Sequence, residues 1–112
     1  MSLEEELMQF TGTTNYHRLT LMPLLATDGV AYFVKKASAN WLFEDMAIKH
    51  FNLRFEEPFI CVTAKGDGET AEVKYTDGNR KVLALDKYPT SDLNGEFQFF
   101  ITDNVCMIPS EY

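Results

Sequence analysis

Hydrophobic and polar positions follow two different periods along this chain of 112 residues. Over residues 1–57, apolar side chains recur every three or four residues, which is the spacing of one helix face. From residue 58 onwards apolar and polar positions alternate, which is typical of half-buried strands. The pattern predicts a single domain over residues 1–112, in which 1–57 is mainly helical and 58–112 forms antiparallel strands.

Helix signals in the first half begin with two capping patterns. Ser2 and Glu5 have the spacing of a capping box at the start of a short helix over Leu3 to Phe10. A polar break follows, and Thr27 or Asp28 can cap a second helix. The apolar residues of this second helix have the spacing of one face, at Val30, Phe33, Val34, Ala37 and Trp41.

The run Ser38-Ala39-Asn40 separates the second helix from a third. Two of its three residues are capping types, so we expect one helix to end here and another to begin near Trp41. The third helix carries a buried stripe, formed by Leu42, Phe43, Met46, Ala47 and His50. Elsewhere, the loose alternation from Tyr16 to Leu21 is compatible with a strand, and Asn52 to Pro58 is polar enough to be the crossing to a sheet.

The second half predicts strands joined by tight turns. Alternating segments occur at 59–65, 70–76, 81–88, 96–102 and 105–108. Glycine, aspartate and asparagine residues between them predict turns at 66–68, 77–79 and 103–104, and those at 77–79 are expected to supply positive φ angles. Because short connections keep neighbouring strands adjacent, we expect an α+β fold with helices packed on one face of a four- to five-stranded antiparallel meander.

Two expectations concern the surfaces of this sheet. Phe100, Tyr75 and Tyr88 are expected to leave aromatic surface on the uncovered face or at an edge, and contiguous surface of that kind usually marks a partner site. The terminal strand from Val105 to Ile108 is expected to form an edge of the sheet. Because an unprotected edge tends to pair, the sequence favours a homodimer.

Composition and charge narrow the classes of function. Hydrophobic residues make up 46% of the chain and charged residues 24%, which is typical of a folded globular domain. A net charge of −7 disfavours binding to nucleic acid or to anionic membranes. Basic proteins are compatible partners, although acidity in most small domains serves only solubility. An acidic start, and apolar runs far shorter than the about 20 residues of a membrane span, predict a cytoplasmic protein.

The two cysteines, Cys61 and Cys106, both lie in strand-like runs. We expect both to be reduced core residues, although a disulfide between neighbouring strands is left open. A cysteine in the middle of a strand lacks the helix N-terminus that would activate it as a nucleophile.

No set of side chains has the spacing that a known reaction, metal or cofactor requires. His17 and His50 each lack a second ligand three or four residues away on the same face, so a metal site is not expected. Glu44 and Asp45 are adjacent, which points them about 100° apart on a helix, so we expect two solvated charges. The sequence predicts no cofactor and a protein that is not an enzyme.

Four residues are candidate binding residues, namely Tyr16, Asp28, Tyr32 and Trp41. Asp28 begins a helix close to Tyr32, so its carboxylate can bind a cation or a donor group, although capping is the commoner role. Trp41 is in phase with an apolar helix face, which favours core packing over an exposed anchor.

Several motifs together resemble a known family. They are Phe10-Thr11-Gly12-Thr13 followed by Tyr16, Thr27-Asp28-Gly29-Val30 with Tyr32, Trp41-Leu42, and the closing Pro109-Ser110-Glu111-Tyr112. The chain resembles an uncharacterised family of small bacterial, phage and plasmid proteins, and the likeness covers nearly its whole length. That family has no assigned activity, but the resemblance implies an origin in mobile elements and a role in host interaction.

Two functions follow as hypotheses. The first is a non-enzymatic interaction protein of phage or mobile-element origin that binds a host or phage protein. In a sharper form, it is an inhibitor whose carboxylates imitate nucleic-acid phosphates. The alternative is a small-ligand-binding module with a pocket between helices and sheet, lined by Tyr16, Tyr32 and Trp41 and gated by Asp28.

Overall fold

Across residues 2–112, which the computed structural model describes, three α-helices cover one face of a six-stranded sheet. In chain order the elements are α1 (Leu3–Leu7), β1 (Leu25–Ala26), α2 (Asp28–Ala37), α3 (Asn40–Leu53), β2 (Phe59–Asp67), β3 (Ala71–Thr76), β4 (Val82–Tyr88), β5 (Asn94–Thr102) and β6 (Val105–Met107). A 3-10 turn, Pro109–Glu111, follows β6. The α+β class and the helical layer predicted from the sequence are confirmed.

The strands lie in the order β1-β6-β5-β2-β3-β4, and all neighbours are antiparallel except β1 and β6. This order differs from the predicted meander, because β5 returns to the centre and pairs with β2 from Phe59↔Thr102 to Asp67↔Asn94. Strand β5 alternates buried apolar residues with exposed ones, which suits a central position, whereas β4 has no buried residue and forms an edge.

The prediction of an edge at Val105 to Ile108 is wrong. Strand β1 extends the sheet beyond β6, with Leu25 opposite Val105 and Ala26 opposite Cys106. Leu24 and Ala26 are fully buried, so the burial of their apolar surface holds β1 against β6. Because β6 is paired on both sides, it has no free edge through which the predicted homodimer could form.

The first two helices begin with side-chain caps. At α1, the Ser2 side chain accepts the Glu5 N–H and the Glu5 carboxylate returns to Ser2, so the capping box is confirmed. At α2 the cap is Thr27, whose hydroxyl accepts the Val30 N–H. Asp28 is thereby free of the capping role and directs its carboxylate elsewhere.

The predicted break between α2 and α3 is confirmed. Ser38 ends α2 in the left-handed conformation with φ of 51°, and α3 begins two residues later. Helix α3 then continues to Leu53, so it includes the first two residues of the segment predicted as a crossing. The apolar residues predicted for its inner stripe are all buried.

The segment from Tyr16 to Leu21 does not form the predicted strand. Only His17 pairs, in an isolated bridge to Ala26. The Arg18 guanidinium donates to the Thr20 and Met22 carbonyl groups at 3.5 and 3.3 Å, so these carbonyls are bonded locally and not to a neighbouring strand.

The turns follow the predicted residue types with small shifts. Gly66 extends β2 and pairs on both sides, so the first turn starts at Gly68, where φ is 91°. In the second turn Gly78 and Arg80 have positive φ, whereas Asn79, for which it was predicted, does not. The turn predicted at 103–104 is present, and both of its residues have positive φ.

The core lies between the helices and the inner face of the sheet. The Phe33 ring of α2 packs on Phe97 and Phe99 of β5, with ring centroids 4.8 and 5.1 Å apart. Tyr75 belongs to this core and is fully buried, so the prediction that it contributes surface is wrong. Phe100 points to the outer face, as the alternation of β5 requires.

The two cysteines lie on opposite faces of the sheet. Cys61 is half-buried on the outer face opposite Phe100, and Cys106 is buried on the inner face opposite Ile101. Both are free, and their opposite directions exclude the disulfide that the sequence left open.

Candidate functional site

Asp28 joins the polar segment after α1 to the start of α2. Its carboxylate accepts the Thr14 N–H at 2.9 Å, and its other oxygen lies 2.7 Å from His17 Nε2. The Asp28 N–H in turn donates to the Thr13 hydroxyl at 2.9 Å. The hydrogen bond with His17, aided by the Thr14 N–H, lowers the pKa of the Asp28 carboxyl below its usual value.

We expect Asp28→Asn to remove part of the acid sensitivity of the fold. Because the pKa of Asp28 is lower in the folded chain, its contribution to stability is complete above about pH 4 and is lost as the pH falls through the lowered value. Unfolding free energies measured between neutral and strongly acidic pH should converge for wild type and variant at the acid end. Asp92→Asn, at an exposed loop carboxylate, is the control and should leave the acid limb unchanged.

Glu111 holds the same helix start from the other end of the chain. Its carboxylate accepts the Thr27 hydroxyl, the Gly29 N–H at 3.0 Å and the Ile108 N–H at 3.1 Å. A carboxylate beside the first free N–H groups of a helix also complements the helix dipole. Two of the motifs behind the family resemblance therefore meet at one helix N-terminus.

Tyr32 lies on the outer side of α2, one turn beyond Asp28. Its hydroxyl donates to Glu6 at 2.6 Å, which raises the pKa of the phenol, and its ring packs on Phe10 at 5.3 Å. Phe10, Tyr32, Asp28 and His17 are among the residues that line a groove of about 710 Å³ along α2. The groove is open to solvent and does not lie between the helices and the sheet, because that seam is filled by the core.

The other two candidate residues lie apart from this groove. Tyr16 is 60% exposed and does not line it. Trp41 is half-buried at the start of α3, where its ring packs on Tyr88 of the edge strand with centroids 4.7 Å apart. The structure therefore brings together only Asp28 and Tyr32 of the four.

A cluster of titratable side chains lies near Trp41, between α3 and β4. Asp45, predicted to be solvated, is largely buried and accepts the Tyr75 hydroxyl. Lys49 contacts the carboxylates of Asp45 at 3.5 Å and Asp86 at 2.6 Å. Burial raises the pKa of the Asp45 carboxyl, and Lys49 lowers that of Asp86. Each group has a partner, so the cluster satisfies the polar end of a buried tyrosine.

The outer face of the sheet changes character from one end to the other. Its register places apolar side chains in two neighbouring rows, Leu25–Val105–Thr102–Phe59 and Met107–Phe100–Cys61–Thr76–Val82. The row at the far end alternates in charge, Glu96–Lys65–Glu72–Lys87. All of these positions are half-buried or exposed, since the helices pack on the opposite face.

Three rings concentrate the aromatic surface on this face, and we call them the aromatic cluster: Phe59, Phe100 and Tyr112. Phe59 and Phe100 lie 5.3 Å apart, and Tyr112 packs edge-on against both at 5.8 and 5.4 Å. Tyr112 is 74% exposed. Such edge-to-face pairs fix ring positions while leaving apolar area open to solvent.

The comparisons with known proteins assign a family but no activity. Over residues 1–112 the chain matches the family of unknown function DUF6876. The chain belongs to DUF6876. No curated protein and no solved structure matched it.

For this DUF6876 chain, the structure adds residues that the sequence did not single out. Glu111 was part of a motif without a role, and no local pattern could show that it reaches Thr27, 84 residues away. Phe59 could have been identified, because it alternates with buried residues and shares an outer row with other apolar side chains. Tyr112 carried no signal beyond its place in the closing motif.

Within residues 2–112, no helix is both long and apolar enough to cross a membrane. Over the same described range, no three histidine, cysteine or carboxylate residues come together as metal ligands would.

Proposed function

We propose that this DUF6876 protein is a non-enzymatic, cytoplasmic interaction protein of phage or mobile-element origin, and that it binds a basic host or phage protein. The observation that carries the proposal is the aromatic cluster on the outer face of the sheet. Aromatic side chains are enriched among the residues that dominate binding energy at interfaces.

The position of the aromatic cluster supports this role. Phe59 and Phe100 lie in the two central strands, where Phe100 pairs with Cys61 on one side and Met107 on the other, and Phe59 pairs with Thr102. A rigid platform of this kind loses little conformational entropy when a partner binds. The neighbouring apolar rows enlarge the platform towards β6 on one side and towards β4 on the other.

The charge of the chain supports a basic partner. At a net charge of −7, the protein attracts basic proteins and accelerates their association at low salt. The outer face itself alternates acids and bases in its charged row, so it does not offer the row of like charges that a phosphate mimic would use. The phosphate-mimic form of the proposal is therefore the less favoured one.

The groove along α2 is the basis of a second candidate function, the binding of a small polar ligand. The specific observation is that the paired His17 and Asp28 line a groove of about 710 Å³ beside Tyr32. A ligand in this groove would contact apolar side chains of α2 and one hydrogen-bonded acid–imidazole pair. This function predicts binding that is lost in Asp28→Asn and unaffected by changes in the aromatic cluster.

We expect Tyr112→Ala to weaken the binding of a basic partner at least about tenfold, which corresponds to about 1.4 kcal/mol. The exposed ring can be removed without opening the core. Tyr16→Ala is the matched control, since Tyr16 is 60% exposed outside the outer face. Partners are captured from host lysate on the wild-type protein, purified, and measured by calorimetry with all three proteins at several salt concentrations.

The proposal is overturned if captured proteins bind the two tyrosine variants equally, or if no basic protein is retained. Weakening of the complex by salt is the expected result, because it reports attraction between opposite charges. Binding that salt leaves unchanged contradicts the charge argument.

A further inference from the structure

Helix α3 is apolar on two sides, unlike its neighbour in the same layer. Its inner side is buried against the sheet. On its outer side Ile48 and Phe51 are 48% and 42% exposed, and Phe55, in the turn after the helix, is 88% exposed. Ile48 and Phe51 are three residues apart on one face of the helix, and Phe55 lies beside them because Arg54 stacks over both the Phe51 and Phe55 rings. Helix α2 instead presents Lys35 and Lys36 near its end, as expected for a helix facing water.

A loop extends this apolar side of α3. The Thr20 hydroxyl donates to the Glu44 carboxylate at 3.0 Å, which holds the loop before β1 against the first turns of α3. The next residue of that loop, Leu21, is fully exposed. We call Leu21, Ile48, Phe51 and Phe55 the α3 patch.

The α3 patch has a charge of opposite sign at each end. The Arg54 guanidinium lies over the rings of Phe51 and Phe55, at 3.9 and 4.4 Å from their centroids. This stacking keeps a positive charge at the C-terminal end of the patch. Glu44 supplies a negative charge at the N-terminal end, on the same side of the helix as Ile48.

We propose that the α3 patch is the interface of a homodimer, in which α3 packs antiparallel against α3 of a second copy around a two-fold axis near Ile48 and Phe51. A two-fold interface uses the same surface on both copies, so that surface must be complementary to itself. The antiparallel arrangement meets this condition, because it brings Arg54 of each copy to the Glu44 end of the other.

The overall charge is compatible with a dimer through this surface. Two chains of net charge −7 repel each other, so they can associate only where the contact is locally neutral and apolar. The α3 patch is apolar along its length, and in the antiparallel arrangement Arg54, which stacks on two of its rings, faces Glu44 of the other copy. A basic hetero-partner would instead find one of its charges facing Arg54.

The area is adequate for a small dimer interface. With about 200 Å² for a fully exposed side chain of this size, the four residues expose on the order of 500 Å² per copy. A standard interface buries about 800 Å² per partner, and the polar rim of α3 and its loop can supply the difference. An exposed apolar patch of that extent on a small protein usually marks an interaction site.

This dimer does not rest on the function proposed above. The aromatic cluster lies on the outer face of the sheet, whereas α3 lies on the inner face, so each surface can be altered separately. The two associations also respond oppositely to salt. Salt screens the repulsion between two acidic copies and should tighten the dimer, but it should weaken a complex with a basic partner.

The test is the mass of the full chain in solution, by light scattering and sedimentation over a range of protein and salt concentrations. We expect a concentration-dependent species of twice the 12.8 kDa of one chain, tighter at higher salt. Phe55→Asp and Leu21→Asp change exposed side chains, so both variants should fold, and each should raise the dissociation constant at least about tenfold. Met8→Asp alters an equally exposed apolar residue outside the patch and should leave it unchanged.

A charge exchange tests the antiparallel geometry. Glu44→Arg alone places a positive charge opposite Arg54 of the second copy and should weaken the dimer. Adding Arg54→Glu should restore it, because opposite charges face each other again. A chain that is monomeric at every concentration and salt overturns the proposal, and so does a dimer that both patch variants leave intact or that Met8→Asp weakens equally.

Discussion

Replacing Gly66 by alanine is expected to lower the free energy of unfolding by about 3 kcal/mol, although a methyl group is the smallest side chain that can be added. A Cβ atom at this position would lie 2.1 Å from the Leu93 carbonyl oxygen and 2.6 Å from its carbon. Both distances are far below van der Waals contact, and the obstacle is backbone rather than a flexible side chain. The chain between β4 and β5 would therefore have to move.

Several interactions resist that movement. The Leu93 carbonyl accepts the Gly68 N–H at 2.8 Å, and Leu93 is only 3% exposed. Gly66 itself pairs with Ala71 on one side and Gly95 on the other, so β2 cannot shift alone. The cost of the methyl group is steric, since the φ angle of Gly66 lies outside the range that favours glycine.

Gly12→Ala is the control for this prediction. A Cβ atom at Gly12 would have no neighbour within 4 Å, and its φ is also ordinary. Chemical denaturation monitored through Trp41 fluorescence and far-UV circular dichroism gives both free energies of unfolding. A loss at Gly66 no larger than that at Gly12 would show that the loop between β4 and β5 yields easily, which contradicts the packing described.

The parts of the fold that could be predicted are those determined by neighbouring residues. The capping box of Ser2 and Glu5 involves residues three apart, and the break at Ser38 depends on its own left-handed conformation. The strands follow from alternation within each segment. The order of the strands could not be predicted in the same way, because β5 pairs with β2 and β6 and not with β4, which precedes it in sequence.

The candidate site could also be predicted only where its residues are close in sequence. Asp28 and Tyr32 are one helical turn apart, so the sequence could place them on the same side of α2. Tyr16 and Trp41 were joined to them only by an assumed pocket, and the seam where that pocket was expected is filled by the core. Trp41 instead packs on Tyr88, a contact between α3 and β4 that no local pattern could reveal.

The motifs behind the family resemblance supply hydrogen bonds at the start of α2 and, through Tyr112, one ring of the aromatic cluster. Thr13, Asp28 and Glu111 form hydrogen bonds that hold three segments of the chain at the start of α2. No residue of the α3 patch belongs to these motifs, although Trp41-Leu42 lies in the same helix. We infer that the hydrogen-bonded residues of these motifs stabilise the fold, whereas the α3 patch and the Phe59 and Phe100 rings of the aromatic cluster lie outside the motifs.

Glu111→Ala is expected to lower the free energy of unfolding by about 3 kcal/mol, because three donors would lose a charged acceptor together and water would restore only part of that bonding at this half-buried site. The donors are the Thr27 hydroxyl and the N–H groups of Gly29 and Ile108. The loss should be largest at α2, whose first turn would be left without an anion.

Two further variants separate the hydrogen bonds from the loss of a surface carboxylate. Glu111→Gln keeps one acceptor oxygen without the charge, so its loss of stability should lie between those of wild type and Glu111→Ala. Glu69→Ala removes an exposed carboxylate in the turn between β2 and β3 and should change the free energy of unfolding by less than about 0.5 kcal/mol. Hydrogen exchange should show faster exchange of the α2 amides in Glu111→Ala, because the helix would open more readily from its N-terminus. If alanine and glutamine at this position cost the same small amount, the carboxylate does not anchor α2, and the closing motif must act through Tyr112 in the aromatic cluster instead.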